Sequence, residues 1–127
     1  MKRLLVVIAI AETATGLGLI ALPSPLASLL LGAALETAVA MIVARVAGFA
    51  LVALGATCWL ARDDTQSRAA RGLVAAMTFY NAGVCALLVY AAVGMGMSGI
   101  GLWPVAIAHA GLAVWCLQSL IAGRSSS

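Results

Sequence analysis

Charge is what this sequence has least of. Only 9% of its 127 residues are Asp, Glu, Lys or Arg, while 65% are hydrophobic. A soluble domain is about a quarter charged and about half apolar. The shortfall excludes an ordinary cytosolic domain, a disordered tail and a nucleic-acid binder. The signatures of familiar chemistry are absent too: there is no Walker loop, nucleophile elbow, HExxH pair or dinucleotide fingerprint. Cys58, Cys85 and Cys116 are odd in number, far apart and set in apolar stretches. That spacing offers neither a disulfide framework nor a CxxC motif, so the thiols read as small buried hydrophobes. A lone Gly16-x-Gly18 signals close helix packing, and no internal repeat stands out.

What is present is a succession of long apolar runs, with a mean hydropathy of +1.15. A helical crossing of hydrocarbon takes about 20 residues, so the length admits at most four. The runs predict spans over residues 4–22, 37–61, 72–93 and 104–121. Lys2 and Arg3 followed by an apolar stretch ending Ala9-Ile10-Ala11 resemble a secretory signal and its cleavage site. The apolar run continues past Glu12 to Leu22, however, which predicts an uncleaved first span. Pro23-Ser24-Pro25 stops that span. Ser24 as N-cap and Pro25 at the first helical position then predict a short helix over residues 25–31, closed by Gly32. It is too short to cross, and is expected at the outer interface or dipping into the bundle as a lid. Residues 62–71 read as a polar loop, and the glycine-rich residues 94–103 as a hairpin. The fold expected is all-α: an integral-membrane four-helix bundle, up-down-up-down, in one domain.

Eight of the eleven charges flank these spans: Lys2, Arg3, Arg62, Asp63, Asp64, Arg68, Arg71 and Arg124. With these on one side, six of the seven basic residues share it, and the positive-inside rule predicts cytoplasmic termini. Trp59, Tyr90 and Trp103 suit the interfacial belts. Small residues repeating every four positions, Ala40–Ala44–Gly48 and Ala106–Ala110, mark expected packing faces. Glu36 opens the second span at its outer end, where an acid suits the helix dipole.

One strongly polar residue remains in each span. At 1.5 Å rise per residue, Glu12 and Asn81 fall within roughly 2 Å of the span centres, with His109 about 5 Å and Arg45 about 6 Å outward. A charge at that depth costs at least about 2.5–3.5 kcal/mol if it faces lipid. The four are therefore expected to converge on the bundle axis, with Glu12 pairing Arg45 and with Asn81 and His109 completing the network. Such a network is either a polar clasp that sets helix register or a site for a polar head group or proton. Tyr80, Thr15, Met77 and Trp115 could line an adjoining pocket, although plain packing explains each. His109 with Cys116 and Cys85, and Met95-x-Met97 in the hairpin, would suit Cu(I), and a single His could be a haem axial ligand. No short ligand spacing joins them, so no metal is assigned and the cofactor stays open.

The layout resembles the small four-helix DoxX-like membrane proteins of bacteria. The likeness rests on Pro25 to Gly32, a Pro-x-x-x-x-Leu-Leu-Gly segment after the first span, and on Arg45 ahead of the Gly48, Leu51, Leu54, Gly55 run. It covers the first half of the chain, and the second half in layout. It implies a four-helix fold in a bacterial membrane, in a family some of whose members sit beside redox or thiol-stress partners. The reading that follows is a small inner-membrane protein with no enzymatic activity of its own. It would bind a lipophilic small molecule among membrane lipids, or serve as accessory subunit to a membrane protein partner or a homo-oligomer. Alternatives are an enzyme on a lipid or quinone-like substrate, with Glu12 and His109 as acid and base and Arg45 as electrostatic anchor, and a small proton-coupled transporter or channel.

Overall fold

The computed structural model describes residues 1–64 and 66–122. They form five helices in chain order and no strands: α1 (Lys2–Ala21), α2 (Pro23–Leu31), α3 (Ala38–Ala61), α4 (Arg68–Val93) and α5 (Leu102–Ala122). Four of these, α1, α3, α4 and α5, are long and apolar enough to cross a membrane. Their sides also carry large exposed apolar residues, among them Phe49, Phe79, Leu60 and Ile107. An apolar exterior of this kind is why the helices are hardly amphipathic.

The helix ends follow local chemistry. Pro23 denies the helical region to the residue before it, and Leu22 accordingly takes φ −133°, ψ 57° and ends α1. Both prolines then occupy the first turn of α2, where backbone N–H groups have no partner to lose. The short helix thus starts two residues earlier than its sequence suggests, with Leu22 rather than Ser24 as N-cap. The Ser24 hydroxyl accepts instead from the Leu35 amide at 3.0 Å, tying α2 to the following loop. Gly32 closes α2 at φ 77°, a conformation that costs glycine little. Thr37 caps α3 by accepting from the Ala40 amide at 3.1 Å, with Glu36 exposed just before it. Ser67 does the same for α4, accepting from Ala70 at 3.1 Å. This cap starts α4 at Arg68, so the second half of the expected polar loop is helical.

Helices α1 and α3 form one close pair, α4 and α5 the other. In the first pair Gly16 lies against Gly48 and Val52, and Gly55 against Ala9 and Thr13, so the two run antiparallel. A Cβ at Gly16 would stand 2.6 Å from the Gly48 carbonyl oxygen, and one at Gly48 would stand 2.7 Å from that of Gly16. Backbone thus touches backbone, the geometry that small residues permit. The seam runs Gly48, Leu51, Gly55, Cys58, all buried, while Ala40 and Ala44 are only half-buried. On α5, Ala106 is buried but Ala110 is exposed, and His109 takes the inward position. Strict four-residue spacing drifts around a helix of 3.6 residues per turn, whereas alternating threes and fours stay on one face.

The pairs meet in a cluster of Leu4, Leu5, Ile8 and Ala9 from α1, Cys58 from α3, Val74 and Met77 from α4, and Cys116 from α5. It lies toward the end of the molecule where Lys2 pairs with Asp63. At the opposite end α2 docks on the α4–α5 connection. The Gly101 amide donates to the Leu29 carbonyl at 2.9 Å, and Gly99 abuts the Leu30–Leu31 backbone. The short helix is thereby a fixed cap on one end of the bundle.

Candidate functional site

The buried face of α1 reads Leu5, Ile8, Ala9, Glu12, Gly16. Glu12 therefore occupies a core position by helical spacing and is 3% exposed. The same logic on α4 buries Val74, Met77 and Asn81, with Tyr80 half-buried beside them. On α5 it turns His109 inward between Ala106 and Cys116.

These faces bring four side chains together. The Tyr80 hydroxyl donates to Glu12 Oε2 at 3.3 Å. The Tyr80 and His109 rings meet edge to face, 6.0 Å between centroids and 76° between planes. His109 Nδ1 lies 2.8 Å from Asn81 Oδ1, and Asn81 Nδ2 donates to the Met77 carbonyl at 2.8 Å. Because Asn81 Oδ1 can only accept, Nδ1 carries the proton of this bond, and in a neutral ring Nε2 then presents a lone pair. Among the described residues no buried side-chain nitrogen or oxygen lacks a hydrogen bond. Glu12 Oε1 makes no bond, so it sits at the sliver of that residue left accessible. Two polar atoms, Glu12 Oε1 and His109 Nε2, thus flank Tyr80 without protein partners.

Arg45 does not join them. Its side chain is exposed, and Nε donates to the Ile20 carbonyl at 3.3 Å. The expected Glu12–Arg45 pair is absent: the ion pairs among the described residues are Lys2–Asp63 and Arg62–Asp63. The glycine seam explains why. Gly48 packs against Gly16 and Ile20, so Arg45, one turn earlier on α3, arrives beside Ile20. That is eight residues, about 12 Å, beyond Glu12 along α1. There it serves a carbonyl that lost its helical partner when the prolines ended α1, at the negative end of the helix dipole.

Of the residues proposed to line a pocket, Tyr80 is a direct partner of Glu12, and Met77 is a core residue whose carbonyl holds Asn81. Thr15 and Trp115 are exposed. The soft-metal set does not assemble. Cys58 and Cys116 are buried in the cluster near Lys2 and Cys85 is half-buried on α4, whereas Met95 and Met97 belong to the connection at the α2 end. Among the described residues no group of three or more His, Cys, Asp or Glu could hold a metal ion.

At the Lys2 end, Asp63 bridges the start of α1 to the α3–α4 loop. The bound Lys2 ammonium, helped by Arg62, holds the Asp63 carboxyl below the usual carboxylate range. Arg62 also stacks on Trp59, 4.2 Å from the ring centroid. Arg124, expected on this side, lies outside the described residues. No protein-family model, no curated protein and no solved structure matches the chain.

Proposed function

We propose that the chain is a multi-pass protein of a bacterial inner membrane whose bundle binds a lipophilic molecule with a hydrogen-bonding head group. In this reading the four long helices cross up-down-up-down with both termini cytoplasmic. The Lys2–Asp63 contact supports that orientation, since it joins the chain start to the loop that leads into Arg68 and Arg71, and basic flanks favour the cytoplasm. The DoxX-like layout is consistent with the same membrane. Site residues in this reading are Glu12, Tyr80, Asn81 and His109. Arg45 is left out of the set, being committed to the end of α1.

The observation that carries the reading is the pair of unpartnered atoms beside Tyr80. A self-contained clasp would close every bond within the protein, whereas Glu12 Oε1 and His109 Nε2 leave two polar atoms without a protein partner at one cluster. His109 Nε2 accepts in a neutral ring, and Glu12 Oε1 accepts as a carboxylate or donates as a carboxylic acid; hydroxyls meet both needs, such as those of a hydroquinone-type head group. Acid–base catalysis and proton transport would both need Glu12 and His109 as a working pair. Tyr80 stands between them, which favours binding.

Thermal unfolding of the full chain in mild detergent tests this, with an alkyl-tailed hydroquinone and its dimethyl ether as probes. A ligand that binds the folded state alone raises the unfolding temperature. The hydroquinone is expected to raise it and the ether is not. The rise is expected to vanish in Glu12→Gln and His109→Ala. Equal shifts from both probes, or none from either, would overturn the proposal.

A further inference from the structure

On the outer face of the α1/α3 pair lies an open apolar groove of about 570 Å³. Its walls are Ile10, Ala14 and Leu17 on one side and Ala56, Trp59 and Leu60 on the other, with Thr13 the only polar contribution. The groove exists because the glycine seam draws the two helices so close that small side chains pave its floor. Its Trp59 end is cationic. Arg62 lies over the Trp59 ring, and Arg3 lies on the face of α1 that carries Ile10 and Ala14. Spacings of seven and eleven residues return to nearly the same side of a helix. Asp63 is shared by Lys2 and Arg62. Arg3 is exposed and makes no bond or ion pair among the described residues.

We infer that this groove holds an acyl chain of an anionic phospholipid from the cytoplasmic leaflet, its phosphate bound by Arg3 and Arg62. The inference rests on the membrane orientation given under Proposed function. Charge selects this occupant over a second copy of the chain. A copy inserted in the same sense would bring its own cationic end against Arg3, whereas a phosphate accepts from both guanidinium groups. Trp59 suits the depth, its ring spanning the boundary between acyl chain and head group.

Native mass spectrometry of the full chain in mild detergent tests it, titrating phosphatidylglycerol and phosphatidylcholine of identical acyl chains. One phosphatidylglycerol is expected to bind at about a tenfold lower concentration than phosphatidylcholine. Arg3→Gln is expected to erase that preference and Arg3→Lys to keep most of it. Ala56→Trp, which fills an exposed wall, is expected to abolish the bound lipid without changing the unfolding temperature. Equal affinity for the two lipids, or a phosphatidylglycerol retained by Ala56→Trp, would overturn the site. Glu12→Gln is expected to leave lipid binding untouched, so a failed head-group site and a failed groove are distinguishable. A chain that does not insert into vesicles would overturn both.

Discussion

A carboxyl group in the middle of an apolar helix has to find a donor, and at Glu12 that donor is the Tyr80 hydroxyl. Removing it leaves a buried acceptor without its bond, at a cost of about 1–3 kcal/mol. Tyr80→Phe is therefore expected to destabilise the protein by that amount in reversible detergent unfolding, and a loss below a few tenths of a kcal/mol would contradict the contact. Arg45 is expected to behave independently. As a cap on the end of α1 it contributes about 0.3–1 kcal/mol, whereas breaking a buried ion pair costs about 3–5 kcal/mol. In a double-mutant cycle, Glu12→Gln and Arg45→Ala should add to within about 0.5 kcal/mol. Strong coupling would restore the pair that the sequence suggests. Glu12, Asn81 and His109 were legible because a polar residue in an apolar run is conspicuous, and helical spacing turns each inward. The partner of Arg45 was not legible, because depth along a helix says nothing about which carbonyl stands opposite. That is decided by how far α3 slides along α1 before Gly48 meets Gly16.

At the scale of elements, the glycine seam and the loop contacts set the register. Gly16→Ala or Gly48→Ala puts a methyl group against a carbonyl oxygen and is expected to cost about 1–3 kcal/mol. Gly111→Ala meets open space within a helix and is expected to stabilise by about 0.5–1 kcal/mol. The same unfolding assay compares them, and an equal effect at all three would contradict the seam. The Lys2–Asp63 latch makes a pH prediction. A carboxyl with a lowered folded pKa stabilises fully above its unfolded value of about 3.9, and the contribution is lost as pH falls through the folded value. Amide exchange at the start of α1, taken as the ratio of Asp63→Asn to wild type, should exceed one at pH 6 and fall toward one as the pH drops below the ordinary carboxylate range. A ratio that stays flat would remove the latch. The four long helices were readable from apolar length alone. Their ends were less so, because Ser24 and Ser67 are equally good caps by composition, and only Ser67 takes that role. At Ser24 the flanking prolines move the start of α2 ahead, and its hydroxyl turns to Leu35.

For the whole molecule, two tight helix pairs meet through side chains, with leucine and cysteine at the Lys2 end and the Tyr80–Glu12 bond above them, while the Asn81–His109 bond ties α4 to α5. A surface this apolar suits lipid, and α2 closes the end away from Lys2. The scarcity of charge points to a membrane, and the few charges present divide between the flanks, the end of α1 and the polar cluster. In the proposed function this cluster holds a lipophilic molecule. Native mass spectrometry of the chain purified in mild detergent from its expression host tests it most directly, read for a retained small molecule other than phospholipid. One such mass per chain is expected, lost in Glu12→Gln and His109→Ala and kept in Glu36→Gln. The same mass retained by all three variants, or none in the wild type, would contradict it.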